Sequence, residues 1–223
     1  MCRWQLSNGL VIMPNEFVPL FEDYNLIYRF DLYMLELVCS YMNKWMKEGK
    51  QLKPVSVNQS RADIEQDSFF EDFCSIVDRY EIPHEYLTFE LTESAFIEEG
   101  NRIMKLAREL HRKGFKLAID DFGTGYSNIS NVLSLPIQTI KIDKSLLWKA
   151  MVSTEGAVVL RKMCEAFHEV HQLLLVEGVE NEEQAAFVRD CACRYIQGYY
   201  YAAPLPQEQV YKLLIQKQEE MSG

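Results

Sequence analysis

Hydrophobic and polar positions follow two periods along this chain, and the periods take turns. Val55 and Val57 share one phase of a period of two, and Ser56 and Asn58 share the other. Leu87, Phe89 and Leu91 alternate in the same way with Thr88 and Glu90, Leu117 and Ile119 with Ala118 and Asp120, and Ile140 and Ile142 with Thr139, Lys141 and Asp143. A period of two marks strands. Between these stretches the spacing shifts toward 3.6, as in Leu32, Leu35, Val38, Cys39, Met42 and Trp45, or Ile103, Leu106, Ala107 and Leu110, and marks helices. The expected order is a strand at 1–5, a turn at 7–9 and an irregular stretch over 14–22, punctuated by Pro14 and Pro19. A helix ending at Gly49 follows, then a strand at 52–58, a helix at 64–80, a strand at 87–93, and a helix closed by Gly114. Beyond it come a strand at 116–120, a short helix near 129–133, a strand at 139–143 and a helix at 157–170. The chain closes with a strand at 173–177, a helix at 182–189, a strand at 195–200 and a final helix from Pro206 to about residue 216. Strand and helix alternate without a linker or a shift in composition. That implies a single α/β domain over residues 1–223, built on a largely parallel sheet, with enough units for a TIM-like (β/α) barrel.

In that architecture large aliphatics occupy the strand face beneath the helices, and small or polar groups face the tight interior. Each inward phase ends, at the C-terminal end of its strand, in a residue able to bind a metal or an anion. Barrel active sites sit at that end. The set is Asn58, Glu90, Asp120, Asp121, Lys141, Glu177 and Gln197, with successive members from different strands roughly 20–36 residues apart, about one strand-plus-helix unit. Asp120 and Asp121 are adjacent at the end of an apolar run, followed by a turn with Gly123 and Gly125. Two neighbouring carboxylates at a buried strand end repel each other, and a divalent cation is the simplest partner. Taken alone, the same stretch also reads as a polar turn with an Asp helix cap. Lys141 reads either as a structural ion-pair partner or as a cation that positions a water or steadies a phosphate. An oxygen-rich cluster without His or Cys favours Mg²⁺ or Mn²⁺ over Zn²⁺. The four histidines fall outside this phase and read as surface or packing residues.

Composition narrows the partners. The 223 residues are 48% hydrophobic and carry a formal net charge of −10. That balance disfavours a nucleic-acid groove or an anionic membrane surface, but admits an anionic small ligand wherever metals or local cations reverse the field. No apolar run is long enough to span a membrane, and no secretory signal opens the chain, so a cytoplasmic location is expected. The six cysteines are scattered, and Cys191-Ala-Cys193 lacks the spacing of a zinc knuckle or a redox pair, so reduced thiols are expected.

Seven short motifs occur in order: Pro14-Asn-Glu-Phe17 with Pro19 and Glu22, Ser56-Val-Asn58, Glu90-Leu-Thr-Glu93, Asp120-Asp-Phe-Gly-Thr-Gly-Tyr-Ser127, Lys141-Ile-Asp143, Glu177-Gly-Val-Glu180 and Gln197-Gly-Tyr199. Together they resemble the EAL domain, the bacterial phosphodiesterase family acting on cyclic di-GMP, over essentially the whole chain. The resemblance implies a modified (β/α)8 barrel with one antiparallel strand and cleavage of cyclic di-GMP to linear pGpG with two Mg²⁺ or Mn²⁺ ions. It implies metal ligation by Asn58, Glu90 and Asp120, with Asp120 bridging to a second ion held by Asp121. Glu177 would be a metal-site or base residue, and Lys141 would orient the attacking water. Glu93 would steady the loop after Asp121, and Arg3, Asp143, Glu180 and Gln197 would lie at the nucleotide site. It also implies a homodimer through that loop and its neighbouring helix, and leaves room for an upstream sensory or GGDEF-type domain. One departure stands out. Aligning Arg3-Trp4 with the family's Arg-Trp puts Met1 at the Leu of Glu-Ala-Leu, so the glutamate of that motif would precede the first residue and the first strand is truncated. A receptor that binds cyclic di-GMP without cleaving it, or a purely structural module, are the alternatives.

Overall fold

The computed structural model describes residues 2–98, 100–125, 132 and 135–213. The chain opens with a small antiparallel hairpin, β1 (Trp4–Gln5) and β2 (Val11–Ile12), which forms its own sheet. Helices α1 (Pro14–Asp23) and α2 (Ile27–Lys47) lead into β3 (Val55–Asn58). Then come α3 (Arg61–Glu65), α4 (Phe69–Arg79), β4 (Leu87–Thr92), α5 (Glu93–Glu98), α6 (Gly100–Lys113) and β5 (Lys116–Phe122). The second half runs through β6 (Thr139–Ile142), α7 (Lys144–Val152), α8 (Thr154–Glu169), β7 (Leu173–Val176), α9 (Glu182–Asp190) and β8 (Tyr195–Ile196). Residues 207–213 are helical. Strands β3 to β8 form one curled parallel sheet of six strands, each paired with its neighbour in sequence. This is the TIM-like α/β class read from the sequence. Among the described residues the parallel sheet has six strands, and the antiparallel pairing is confined to the β1–β2 hairpin.

The strand phases explain the core. Leu87, Phe89 and Leu91 of β4, Leu117 and Ile119 of β5, and Ile140 and Ile142 of β6 are all buried. The buried stripes of α2 (Leu35, Cys39, Met42, Trp45), α4 (Phe69, Phe73, Ile76, Val77) and α6 (Ile103, Leu106, Ala107, Leu110) belong to the same cluster. Phe73 sits in an aromatic knot, with ring centroids 5.8 Å from Phe69, 5.6 Å from Phe89 and 5.3 Å from Phe115. The edge-to-face contacts with Phe89 and Phe115 add to simple burial. His84 acts as a packing residue: its ring stacks on Phe115 at 4.2 Å, and Nε2 meets Asp78 at 2.8 Å.

Several elements differ from the expectation. Residues 14–23 are helical, not irregular. Pro14 takes the first helical position, where its missing N–H costs nothing. The Glu16 carboxylate accepts from the Met13 N–H at 3.1 Å. Phe17 and Phe21 then pack with Trp4 and Phe30 at centroid distances of 5.1–5.8 Å, which holds the helix past Pro19. The single helix expected over 64–80 is two. Ser60 and Asp63 form a reciprocal cap that starts α3 early, and the chain breaks at 66–68 before α4. Asp31 of α2 faces the same corner as Asp63, which is fully buried. Burial and the neighbouring carboxylate push Asp63 up to about 9, and burial pushes Asp31 up to about 6. Helix α7 was not foreseen, and α8 begins three residues early. Ser153 separates the two, donating to the Lys149 carbonyl and capping Gly156 N–H at 2.9 Å. Strand β8 ends at Ile196 instead of continuing to 200, because Gly198 presses so close to Val179 that a Cβ there would lie 2.0 Å from the Val179 oxygen. The short helix expected near 129–133 falls outside the described residues apart from Val132, as does the end of the final helix.

Candidate active site

Adjacent residues in a regular strand point to opposite faces, so Asp120 and Asp121 would diverge. A bulge prevents this. Ile119 pairs with Ile140 and the next pair is Phe122 with Ile142, so β5 spends one more residue than β6 across the interval. Asp121 takes the left-handed conformation at φ 55°, a state that costs a non-glycine residue about 1–3 kcal/mol. The result is convergence: Asp120, Asp121 and Glu177 each offer a carboxylate oxygen, and the three lie within 4.8 Å of one another. Glu177 arrives from the end of β7, where its N–H donates to Ile142 O at 3.0 Å. Gly178 then turns at φ +70° against Lys144, where a Cβ would come within 2.3 Å of the lysine Cβ. Only glycine fits that step, and it fixes where Glu177 leaves the strand.

Lys141 of β6 stands at the centre. Its ammonium lies 2.8 Å from Glu177 Oε1, 3.0 Å from Asp120 Oδ2 and 3.0 Å from Glu90 Oε2. Burial alone would lower its pKa, but Glu90, Asp120 and Glu177 outweigh it and hold Lys141 above the ordinary lysine value. The charge is therefore permanent at neutral pH. Four carboxylates nonetheless face one ammonium. Burial, then the charges of Asp120 and Asp143, raise Asp121, while burial raises Glu177 against the opposing pull of Lys141. Carboxylates crowded beyond the positive charge beside them, in an all-oxygen setting, are the donor set that suits a hard divalent cation. Asp120, Asp121 and Glu177 fit such an ion directly.

The other expected residues divide. Asn58 is in register with Glu90 across the β3–β4 pair, and Gln59 N–H donates to Glu90 O at 3.1 Å, so this carboxamide ends the neighbouring strand. Glu93, only 1% exposed, aims one oxygen at the loop after Asp121 and accepts from Gly123, Thr124 and Gly125 N–H at 2.8, 3.2 and 3.2 Å. Thr124 Oγ1 donates back to Asp121 O at 2.8 Å. Asp143 caps α7, accepting from Ser145 N–H at 2.8 Å. Gln197 follows β8, its N–H bonded to Val176 O at 2.9 Å and its side chain exposed beyond the sheet. Glu180 is exposed, and its N–H is held by Gln184 at 2.7 Å. Arg3 donates to Cys2 O at 2.8 Å and lines a cleft with Phe17, Phe21 and Phe30, apart from the carboxylate cluster. The bulge and the left-handed turn at Asp121 were not foreseen. The two glycines just after Asp121 were the signal that the strand leaves its pleat there.

A TIM-like sheet whose strand ends gather carboxylates around a buried lysine defines a class of candidate divalent-metal sites. The comparisons give the family. The EAL domain profile matches residues 1–204, so the chain belongs to the EAL domain family. The oxygen sensor protein DosP of Escherichia coli (strain K12) is 30% identical over 210 residues, covering 94% of this chain and 26% of DosP. Cyclic di-GMP phosphodiesterase NbdA of Pseudomonas aeruginosa is 27% identical over 206 residues, covering 92% of this chain and 26% of NbdA. The chain thus spans about a quarter of the length of these relatives. Among solved structures, the PaMucR phosphodiesterase in its c-di-GMP complex superposes with a TM-score of 0.87 at 26% identity, covering 93% of this chain and 84% of that one. The FimX EAL domain from Pseudomonas aeruginosa bound to c-di-GMP shares the fold, with a TM-score of 0.82 at 23% identity over 91% of this chain and 81% of that one. Among the described residues no helix is long and apolar enough to cross a membrane.

Proposed function

We propose that this chain is a metal-dependent phosphodiesterase that hydrolyses cyclic di-GMP to linear pGpG in bacterial signalling. The observation that carries the reading is the convergence of Asp120, Asp121 and Glu177 around Lys141 at the C-terminal ends of the strands. Membership of the EAL domain family and the named c-di-GMP phosphodiesterase among the relatives support the substrate. Asn58, Glu90, Asp120, Asp121 and Glu177 would hold Mg²⁺ or Mn²⁺. When bound, the ions supply an activated water and offset charge on the phosphodiester. Lys141 keeps Glu90, Asp120 and Glu177 aligned and presents its ammonium to the water and a phosphate oxygen. Glu93 holds the loop that keeps Asp121 in its left-handed turn. Asp143, Glu180, Gln197 and Arg3 are the proposed nucleotide contacts, with Asp143 also serving as a helix cap.

The chain acts as one domain in the cytoplasm, as a homodimer. Support for the dimer comes from α7. Leu146 packs beneath Gly123 of the loop after Asp121, and Trp148 and Val152 of the same helix are exposed. Calorimetric titration with cyclic di-GMP in Mg²⁺, with the ligand analysed afterwards by chromatography, tests the reading. Binding followed by recovery as pGpG supports it. Binding with the nucleotide recovered intact favours the receptor, and no binding leaves only a structural module.

A further inference from the structure

Three of the six cysteines lie at the end of the sheet opposite the carboxylates. Cys164 projects from α8, and Cys191 and Cys193 flank the short turn between α9 and β8. Cys164 and Cys193 are 29 residues apart in sequence, a spacing that signals nothing by itself. In the fold the two side chains are neighbours, close enough for each thiol to shift the protonation of the other. Cys193 Sγ also lies 3.4 Å from Leu174 O and 3.3 Å from Tyr195 O, so its position is fixed by the starts of β7 and β8. Both residues are buried, at 2% and 7% exposure. Yet both line a cavity of about 450 Å³ whose wall also includes His168, His171, Arg189 and Arg194. A small neutral oxidant can therefore reach the pair, while Cys191 is not part of that wall.

We propose that Cys164 and Cys193 form a dithiol site that a hydroperoxide oxidises to a disulfide, tying α8 to the segment that enters β8. The contact with Cys164, together with the backbone of Tyr195 and Val176, lowers the Cys193 thiol, while the same contact and burial raise Cys164. Cys193 is thus the sulfur that reacts first, because the thiolate is the nucleophile. Its thiolate attacks one peroxide oxygen, the O–O bond breaks, and the other oxygen leaves as alkoxide or hydroxide and is protonated. Cys193 becomes a sulfenic acid, oxidised by two electrons as the peroxide is reduced. The Cys164 sulfur then attacks the Cys193 sulfur. An S–S bond forms, the S–O bond breaks, and hydroxide leaves with the Cys164 proton as water.

The test uses the full chain, fully reduced, exposed to hydrogen peroxide. Remaining thiols are blocked with N-ethylmaleimide, and the protein is digested with trypsin without reductant. Cleavage after Lys162, Arg189 and Arg194 places Cys164 in peptide 163–189, and both Cys191 and Cys193 in peptide 190–194. The expected result is loss of two of the six thiols and a cross-linked pair of these peptides, with fragmentation placing the maleimide on Cys191. Cys191→Ala should keep the link, and Cys164→Ala and Cys193→Ala should abolish it. The wild-type map decides the matter even where a variant fails to fold. A map with all six thiols blocked by maleimide after peroxide, or with the bond on Cys191, overturns the proposal.

Discussion

The Lys141 ammonium lies 2.8 Å from Glu177 Oε1, closer than to either of its other two carboxylate partners. The lysine side chain is nearly buried, so its removal leaves a cluster of uncompensated negative charge. Lys141→Ala should lower stability by about 3–5 kcal/mol in a chelator, the scale of breaking a buried ionic group, and Mg²⁺ should stabilise the variant and the parent alike. Metal affinity should hold while turnover falls by about 10²-fold or more. Urea midpoints with and without Mg²⁺, beside single-turnover rates, check both halves. Asp120→Asn should instead weaken metal binding and turnover together.

Glu93 makes no proposed contact with metal or substrate, yet one of its oxygens accepts from three successive amides. Glu93→Ala strands those donors, at about 1–3 kcal/mol for each buried group left unmatched. The loop after Asp121 should then lose its fixed geometry. Hydrogen exchange of Gly123, Thr124 and Gly125 should accelerate, and turnover should drop with substrate affinity less affected. Unchanged exchange at those amides would contradict this role.

Asp31 and Asp63 give the chain a pH-dependent stability unrelated to catalysis. A carboxyl raised in the folded state binds its proton more tightly there than in the unfolded chain. Its contribution is full at acid pH and declines as pH climbs from the ordinary aspartate value of 3.8 to about 9, the Asp63 value, with the Asp31 share gone by about 6. Asp63→Asn keeps an oxygen for the Ser60 N–H, which Asp63 Oδ2 now accepts at 2.7 Å. The variant should flatten this decline and exceed the parent in thermal midpoint near the alkaline end. A parallel pair of pH profiles would refute the assignment.

Phe73 anchors the wall that carries β4. Phe73→Ala should cost about 3–5 kcal/mol, read as a fall in the urea midpoint. The lost rings of contact with Phe69, Phe89 and Phe115 leave a space those rigid side chains do not fill.

The strand phases made much of this legible. Glu90, Asp120 and Lys141 were placed on one end of one sheet by alternation, Glu177 only by its position at the end of a wholly apolar strand, and the four meet there. What the alternation could not carry was any departure from it. Asp121 joins Asp120 only through a bulge and a left-handed residue, and a period of two has no way to express either. Asp143 read as part of the inward phase, while its side chain caps α7, because Asp before a helix and Asp at a strand end look the same in sequence. Pro14 and Pro19 read as breaks, although the first helical position favours proline and the aromatic cluster of Trp4, Phe17, Phe21 and Phe30 overrides the second. Cys164 and Cys193 meet only through tertiary structure, which no local spacing encodes.

The central claim is that this carboxylate and lysine cluster cleaves a cyclic dinucleotide phosphodiester with a divalent ion. Its most direct measurement is chromatography of cyclic di-GMP incubated with the chain in Mg²⁺ or Mn²⁺, in Ca²⁺ and in chelator. The account predicts pGpG with Mg²⁺ or Mn²⁺, little with Ca²⁺, whose longer and looser coordination misplaces the water, and none in chelator or with Asp120→Asn. Intact cyclic di-GMP in every lane, or pGpG formed equally in chelator, would contradict it.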